Sequence, residues 1–364
     1  LRASWGQLGN QDALSDYYPW MNTYNLNAKY PFGGQLMPGY YQGSYHLETI
    51  SWERSTTWGV GLDFTLFGGL TGSLDYYNRK TTGIIMDVSA PAEFALGAYK
   101  DNIGALRNQG VELSLAYAKQ LNKDWTINVG ANFAYNKNKI KKISNSLREQ
   151  NEKNKSDNGV APLPIYEEGQ SLTALKVVPS AGIDPVTGQE IFIKRDGTYT
   201  FVYDSNDKVI FGDTNPLGTG SITSYLTYKR FALSCSFLYS FGGSVYNETL
   251  ATKVEGANPK YNADERVLND RWKTPGTVAK YKRIDDTTTP YQTSRFVEKN
   301  NFLRMSSLSL SYEVPTNFIQ KYGLKRMFLE LLTNDLFYLS TAKRERGLNY
   351  PYDRSFEFSL RFSL

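Results

Sequence analysis

The sequence predicts an all-β fold, an antiparallel transmembrane β-barrel. Three observations carry that prediction. Apolar and polar residues alternate in many segments, the gaps between segments are alternately short and long, and aromatic residues gather at segment ends. Successive side chains of a strand point to opposite faces, so alternation makes one face greasy and the other wet. Outer-membrane barrels join such strands by tight turns on one rim and long loops on the other.

The clearest segment is Ser355 to Leu364, where every even position is apolar and every odd one polar. Leu308, Leu310, Tyr312 and Val314 alternate with Ser307, Ser309, Ser311 and Glu313. Val60, Leu62, Phe64 and Leu66 alternate with Gly59, Gly61, Asp63 and Thr65. Trp125, Ile127, Val129, Ala131, Phe133 and Tyr135 do the same, as do Leu233, Cys235, Phe237, Tyr239 and Phe241. About ten strands follow, near 2–8, 52–66, 70–86, 107–121, 125–140, 220–229, 231–247, 301–314, 326–340 and 353–364. Most reach the roughly 9–11 residues that a tilted strand needs to cross a bilayer.

The short connections are Phe67-Gly68-Gly69, Asn122-Lys123-Asp124, a tight one at Lys229-Arg230, and Pro315 to Lys325. The long ones are 9–51, 87–106, 141–219, 248–300 and 341–352. The two kinds never exchange places, as expected when every second connection lies on one rim. The long loops are therefore expected outside the cell, with the short turns and the C-terminus in the periplasm. A water-soluble all-β protein would not place such long loops on one rim, since long loops are uncommon in compact domains. Trp52, Trp58, Tyr76, Tyr77, Trp125, Tyr135, Tyr239 and Tyr312 stand where interfacial girdles would lie.

Composition agrees with this reading. Mean hydropathy is −0.47, and no apolar run approaches the ~18 residues of a membrane helix. Barrel strands hide their lipid face in alternation, so low hydropathy does not exclude a membrane. The chain starts at Leu1 without a leader, as a mature or truncated product would. Cys235 is the single cysteine, which excludes a disulfide framework, and packing is its expected role. The net charge of +5 is spread along the chain without a basic-aromatic module, so nucleic acid is not an expected partner.

Specific segments go beyond a generic barrel. Gly59 to Phe64, Gly72 to Thr81, Asn102 to Leu113, the run Ala181-Gly182-Ile183-Asp184-Pro185-Val186-Thr187-Gly188, Arg295 to Pro315, Asn334-Asp335-Leu336-Phe337 and the opening Arg2 to Asn10 occur in order. Together they resemble the SusC/RagA family of TonB-dependent outer-membrane transporters. The resemblance implies about 22 strands, a plug domain inside the barrel and a TonB-contacting segment before it. It also implies a SusD-like surface lipoprotein as lid, with TonB, ExbB and ExbD supplying energy. The whole of 1–364 matches the C-terminal part of such a barrel, so plug and TonB box are expected elsewhere. Ten strands of a larger wall leave two open edges, which lipid does not tolerate, so the remaining strands are expected beside them. Members of the family usually end in an aromatic residue; here Ser363 and Leu364 follow Phe362. In physical terms, Gly110 is expected to let a strand bend or accept a close neighbour. The Asp184 to Gly188 run is turn chemistry.

No catalytic residue, metal site or cofactor is predicted. His46, the single histidine, has Ser44 and Ser51 nearby but no third group to orient it. Glu167-Glu168 and Asp285-Asp286 are loop carboxylate pairs, read as solvated patches with a calcium site as the alternative. The first long loop is rich in aromatics: Tyr17, Tyr18, Trp20, Tyr24, Tyr30, Phe32, Tyr40, Tyr41 and Tyr45. Of these, Tyr17, Tyr18, Trp20, Tyr24, Tyr40 and Tyr41, with Trp272 in loop 248–300, are candidate contacts to substrate or partner. Rigid aromatic faces stack on sugars or pack on proteins at low entropic cost; packing within the loop is the competing reading. The expected function is active import of a glycan or oligopeptide across the outer membrane. The alternatives are a self-contained ten-stranded barrel acting as enzyme or adhesin, and a siderophore receptor without a lipoprotein lid.

Overall fold

The computed structural model describes residues 1–14, 18, 21–43, 49–66, 68–90, 98–258, 260, 261, 263–345 and 354–363. The chain opens with β1 (Arg2–Asn10), a separate hairpin of β2 (Tyr24–Phe32) and β3 (Gln35–Gln42), then β4 (Glu53–Leu66), β5 (Leu70–Ser89), β6 (Ala98–Gln120) and β7 (Trp125–Ile143). Helix α1 (Asn145–Ser156) and short strands β8 (Ala174–Val177), β9 (Ser180–Ile183), β10 (Glu190–Ile193), β11 (Tyr199–Thr200) and β12 (Val209–Asp213) fill the next connection. Then come β13 (Gly218–Tyr228), β14 (Phe231–Tyr246), α2 (Arg266–Asn269), β15 (Val297–Glu313), α3 (Thr316–Ile319), β16 (Arg326–Asn334), β17 (Tyr338–Ser340) and β18 (Phe356–Ser363).

Ten of these strands form one antiparallel meander in the order β1-β4-β5-β6-β7-β13-β14-β15-β16-β18, with β17 beside β15. All ten strands expected from the alternation are present in it. Among the described residues β1 and β18 do not pair with each other, so this sheet does not close on itself.

Register sorts the faces. Leu62, Leu74, Leu113 and Phe133 form one continuous row across β4 to β7. The adjacent row on the opposite face is Gly61, Asp75, Glu112 and Ala134. Arg2 bridges Asp63 at 2.7 Å and Asp75 at 3.0 Å on that polar face. The apolar face is bounded by two aromatic belts. At the tight-turn rim, Trp125, Tyr228, Phe231 and Tyr312 are register neighbours, with ring centroids 4.5 Å apart for Trp125–Tyr228 and 4.7 Å for Phe231–Tyr312. Towards the other rim, Tyr76, Tyr135 and Phe241 share a row, and Trp58 lies 5.4 Å from Tyr76. Trp125 and Tyr135 are ten residues apart on β7. That is ~33 Å of strand, or ~25 Å of height at a barrel-like tilt, which matches an outer-membrane apolar band.

The tight turns have local causes. Lys229 takes a left-handed φ of 53° between β13 and β14. Asn122 Oδ1 accepts from the Asp124 and Trp125 amides at 2.9 Å each, an Asx turn that starts β7. In the slightly longer connection, α3 runs into a 3-10 turn stopped by Gly323 at φ 74°.

One connection and one strand differ from expectation. Strands β5 and β6 stay paired out to Ser89 and Ala98, so the expected loop 87–106 shrinks to a tip. Above the belt one side of this hairpin packs into a buried cluster of Val88, Ile103, Ile140, Ile143 and Leu147 of α1, while Asp87 and Ser89 stay exposed. The expected strand 326–340 breaks at Asp335, which takes φ 52°, and resumes as β17. Register shifts between Thr82 and Ile84, Ala105 and Leu106, and Ser240 and Gly243 lie at or above the upper belt, and a further one between Ser236 and Phe237 lies within the band.

Gly110 accepts a close neighbour, as its place in the sequence suggested. A Cβ there would lie 2.6 Å from the Tyr77 hydroxyl and would clash with the Tyr135 carbonyl. The Tyr77 ring crosses the glycine, and its hydroxyl donates to Asn136 Oδ1 at 3.1 Å. Gly110→Val is expected to destabilise the wall by about 1–3 kcal/mol through overpacking. Loss of heat-modifiable gel mobility at lower temperature than the parent protein is the readout.

Candidate functional site: the folded loops of one rim

Connections 141–219 and 248–300 fold into one body. Ser144 caps α1 by accepting the Leu147 amide at 3.2 Å. Asn151 and Asn154 of α1 fix the following segment through the Tyr166 and Pro164 carbonyls, at 2.5 and 2.7 Å. The second connection contributes a π-helical turn, Leu250–Glu255, and α2. Leu250, Ala251, Val254, Val267, Tyr281 and Phe296 make its core. The two connections meet along a parallel bridge, Val178 to Thr293, and through Gln292, which is fully buried and donates to Asp157 Oδ2 at 2.8 Å.

Their strongest tie is ionic. Arg295 lies within 2.7 Å of both Glu190 on β10 and Glu255 at the end of the π-helical turn. The two carboxylate side chains are 2% and 1% exposed. Burial alone would push the guanidinium down, but the two carboxylates outweigh it and hold Arg295 above its ordinary value. Arg271 is buried beside them and donates to four carbonyls, those of Val254, Glu255, Val267 and Lys282. Burial lowers its pKa, with Glu255 opposing.

Trp272 belongs to this body. Its indole N–H donates to the Pro185 carbonyl at 2.8 Å, and its ring lies against Gly188, where a Cβ would come within 2.6 Å. Gly188 has φ 71°, and Asp184 accepts from the Val186 amide at 3.2 Å and the Thr187 amide at 3.1 Å. Asp184 to Gly188 is thus a turn, as its composition indicated, and the bond to the Thr187 hydroxyl depresses the Asp184 carboxyl. Beside Trp272 opens a cleft of about 470 Å³ flanked by Leu268, Ile284, Lys273 and Arg283. Leu268 and Ile284 are exposed. A fixed indole, two aliphatic chains and basic side chains can receive a flat apolar group with polar substituents.

The other candidate residues lie elsewhere. Tyr24, Tyr40 and Tyr41 are on the β2–β3 hairpin, whose strands pair with each other rather than with the wall. Tyr18, Tyr24, Tyr40 and Tyr41 are 55–74% exposed, and the rings of Tyr24 and Tyr40 meet edge to face at 6.1 Å. Tyr17, Trp20 and His46 lie outside the described residues. The structure therefore places the described tyrosines and Trp272 on separate units. The loop carboxylates are each matched by a cation: Glu167 by Lys176, Glu168 by Arg148, Asp285 by Arg283 and Asp286 by Lys282. Among the described residues no three potential metal ligands converge.

A second ionic clasp holds Glu345, in the described start of the last long connection. Arg266 of α2 contacts Asp264 at 2.6 Å and Glu345 at 2.8 Å. The Arg266 hydrogen bond holds Asp264 far below the usual carboxylate range. Burial would raise Glu345, but bonds from Arg266 and Asn247 prevail and lower it. Depressed folded-state values mean that the clasp stabilises fully above the ordinary carboxylate values, about pH 4–5, and is lost as pH falls through the depressed ones. Hydrogen exchange of 264–270, corrected for intrinsic rate, is expected to be flat from pH 8 to 5 and to accelerate below about pH 4.

Fold and rim together define a class: a stretch of outer-membrane β-barrel wall that carries folded loops at one end. Residues 1–167 match the family described as TonB dependent receptor-like, beta-barrel. TonB-dependent receptor SusC of Bacteroides thetaiotaomicron is 28% identical over 325 residues, covering 86% of this chain and 31% of that protein. TonB-dependent receptor P3 of Formosa agariphila is 28% identical over 355 residues, covering 90% of this chain and 33% of that protein. The solved RagAB peptide importer in its closed-closed state superposes with a TM-score of 0.81 at 22% identity, covering 99% of this chain and 40% of that one. Over residues 1–167 the chain is thus similar to the TonB-dependent receptor β-barrel family, its curated relatives are TonB-dependent receptors with SusC among them, and the likeness to the RagAB importer is one of fold. It spans about a third of the length of the curated relatives it matches.

Proposed function

We propose that this chain is the C-terminal wall and rim of a transporter that imports a glycan or oligopeptide across the outer membrane, driven by TonB with ExbB and ExbD. The single observation that supports this best is the open ten-stranded meander with its folded loops, superposable along its length on the RagAB importer. Open edges at β1 and β18 need pairing partners in lipid, supplied in this reading by the remaining strands of the same barrel. The polar inner face, with Asp63, Asp75 and Glu112, faces the plug. Loop connections 9–51, 141–219, 248–300 and 341–352 face the outside, with the tight turns and the C-terminus in the periplasm.

A SusD-like surface lipoprotein closes the loop-bearing rim. The exposed tyrosines of the β2–β3 hairpin serve as its contact, together with Tyr17, Tyr18 and Trp20, while Trp272 contacts cargo in its cleft. No covalent chemistry is needed: capture, closure and pulling of the plug suffice. The test is uptake of labelled glycan and peptide pools by cells that carry or lack the full gene. Uptake that vanishes with the gene and also on loss of TonB supports the reading, as does a stoichiometric lipoprotein in the purified complex. Unchanged uptake of both pools would sink it. Energy-dependent uptake without a lipoprotein would favour a receptor of the siderophore kind.

A further inference from the structure

The outward face of the wall carries cations at one height. Two register rows lie immediately above the upper belt on the same face as Leu62, Leu74 and Leu113. The lower is Trp58, Asn78, Gln109 and Lys137; the upper is Thr56, Lys80, Arg107 and Lys139. Each row adds ~7 Å of strand, or about 5 Å of height on a tilted wall. The four cations thus stand in the layer of a few ångströms that lipid headgroups occupy beyond the hydrocarbon. The continuation of these rows on β1 is Trp5 and Gln7, so no carboxylate interrupts the patch on that side. None of Lys80, Arg107, Lys137 and Lys139 forms an ion pair among the described residues, whereas most loop cations described above do. Lys80, Lys137 and Lys139 are exposed.

A second observation points to a ligand. Asn78, in the middle of the patch, is 5% exposed. Its Oδ1 accepts from Arg107 Nε at 3.2 Å, and its Nδ2 is buried with no partner. An unmet buried donor among cations calls for an acceptor, and a phosphate oxygen supplies one.

We propose that Lys80, Arg107, Lys137, Lys139 and Asn78 form a site for the phosphate groups of outer-leaflet lipid headgroups, which anchors the wall at a fixed depth. This rests on the outward orientation proposed above. The belt aromatics bury their rings below, and the lysine stems extend upward to the phosphates.

The test uses the full-length transporter in detergent, titrated with a diphosphorylated glycolipid and read by native mass spectrometry. Lys80→Gln/Lys137→Gln/Lys139→Gln is expected to bind roughly 100-fold more weakly, about fivefold per lysine. Lys119→Gln/Lys123→Gln, at the opposite rim, is expected to leave binding unchanged. The dephosphorylated glycolipid should bind the parent protein as weakly as the triple variant binds the intact lipid. Where the triple variant fails to fold, judged by heat-modifiable mobility, Lys137→Gln alone should show the fivefold step. The proposal is overturned if the variants bind like the parent, or if removing the phosphates changes nothing. Displacement by inorganic phosphate at equal concentration would also overturn it, by showing a free-anion site. Maleimide labelling of Lys153→Cys and Lys123→Cys on whole cells tests orientation separately. Labelling at 153 alone supports the outer-leaflet assignment; labelling at 123 alone overturns it even where phosphate binding persists.

Discussion

Arg295→Met is expected to release the loop body from itself while leaving the wall folded. The change removes the guanidinium that sits within 2.7 Å of both Glu190 and Glu255 and strands two nearly inaccessible carboxylates. Breaking a buried ion pair from one side costs about 3–5 kcal/mol, because the remaining charge is unpaired. Hydrogen exchange should therefore speed up across β9, β10 and the Leu250–Glu255 turn, and stay slow in β4 to β7. Glu190→Gln should be milder, since Arg295 keeps Glu255. Equal protection in parent and Arg295→Met would show that the triad does not hold the two connections together. If the loops close over cargo as proposed, the released body should also lower uptake.

Leu115→Arg is expected to prevent stable insertion, and Ser114→Arg to be tolerated. The residues are adjacent on β6 but face opposite ways. Leu115 shares its row with Gly72 and Ala131, midway between the two belts, and the Phe64 ring covers Gly72. An arginine at that depth on a lipid-facing side costs about 2–4 kcal/mol. Ser114 shares its row with Ser73 and Asn132 on the polar face, where a charge meets polar neighbours. Yield of heat-modifiable protein in the outer-membrane fraction separates the two. The reverse outcome, with Ser114→Arg failing and Leu115→Arg inserting, would mean that the faces are inverted.

The wall was legible because its solvent changes sides at every residue. Val60, Leu62 and Leu66 announce the same face that register gives them, and Gly68-Gly69 and Asn122 announce the turns. The rim was not legible in this way. Glu190, Glu255 and Arg295 are far apart in sequence and obey no period, so nothing marks them as one cluster; only Arg295 stood inside a recognised segment. Hairpin β5–β6 read as a loop above Met86 because Asp87, Ser89, Lys100, Asp101 and Asn102 leave no sustained apolar alternation there, and the α1 contact that buries Val88 and Ile103 is not written in either strand. Trp272 was found by its chemistry, but its union with the Asp184–Gly188 turn depends on two connections meeting in space. The separation of Trp272 from the β2–β3 tyrosines is likewise a fact of topology that residue type does not encode.

The register shifts near the upper belt have a consequence for how such a molecule can diversify. A bulge absorbs a residue without re-pairing the strands beneath it. At 82–84, 105–106 and 240–243 the ladder resets where the strands leave the apolar band. Residues gained or lost above these points therefore alter the loops and leave every inward and outward assignment below intact. The wall works as a chassis with a mechanical clutch at its lip, and new appendages can be tried there one insertion at a time.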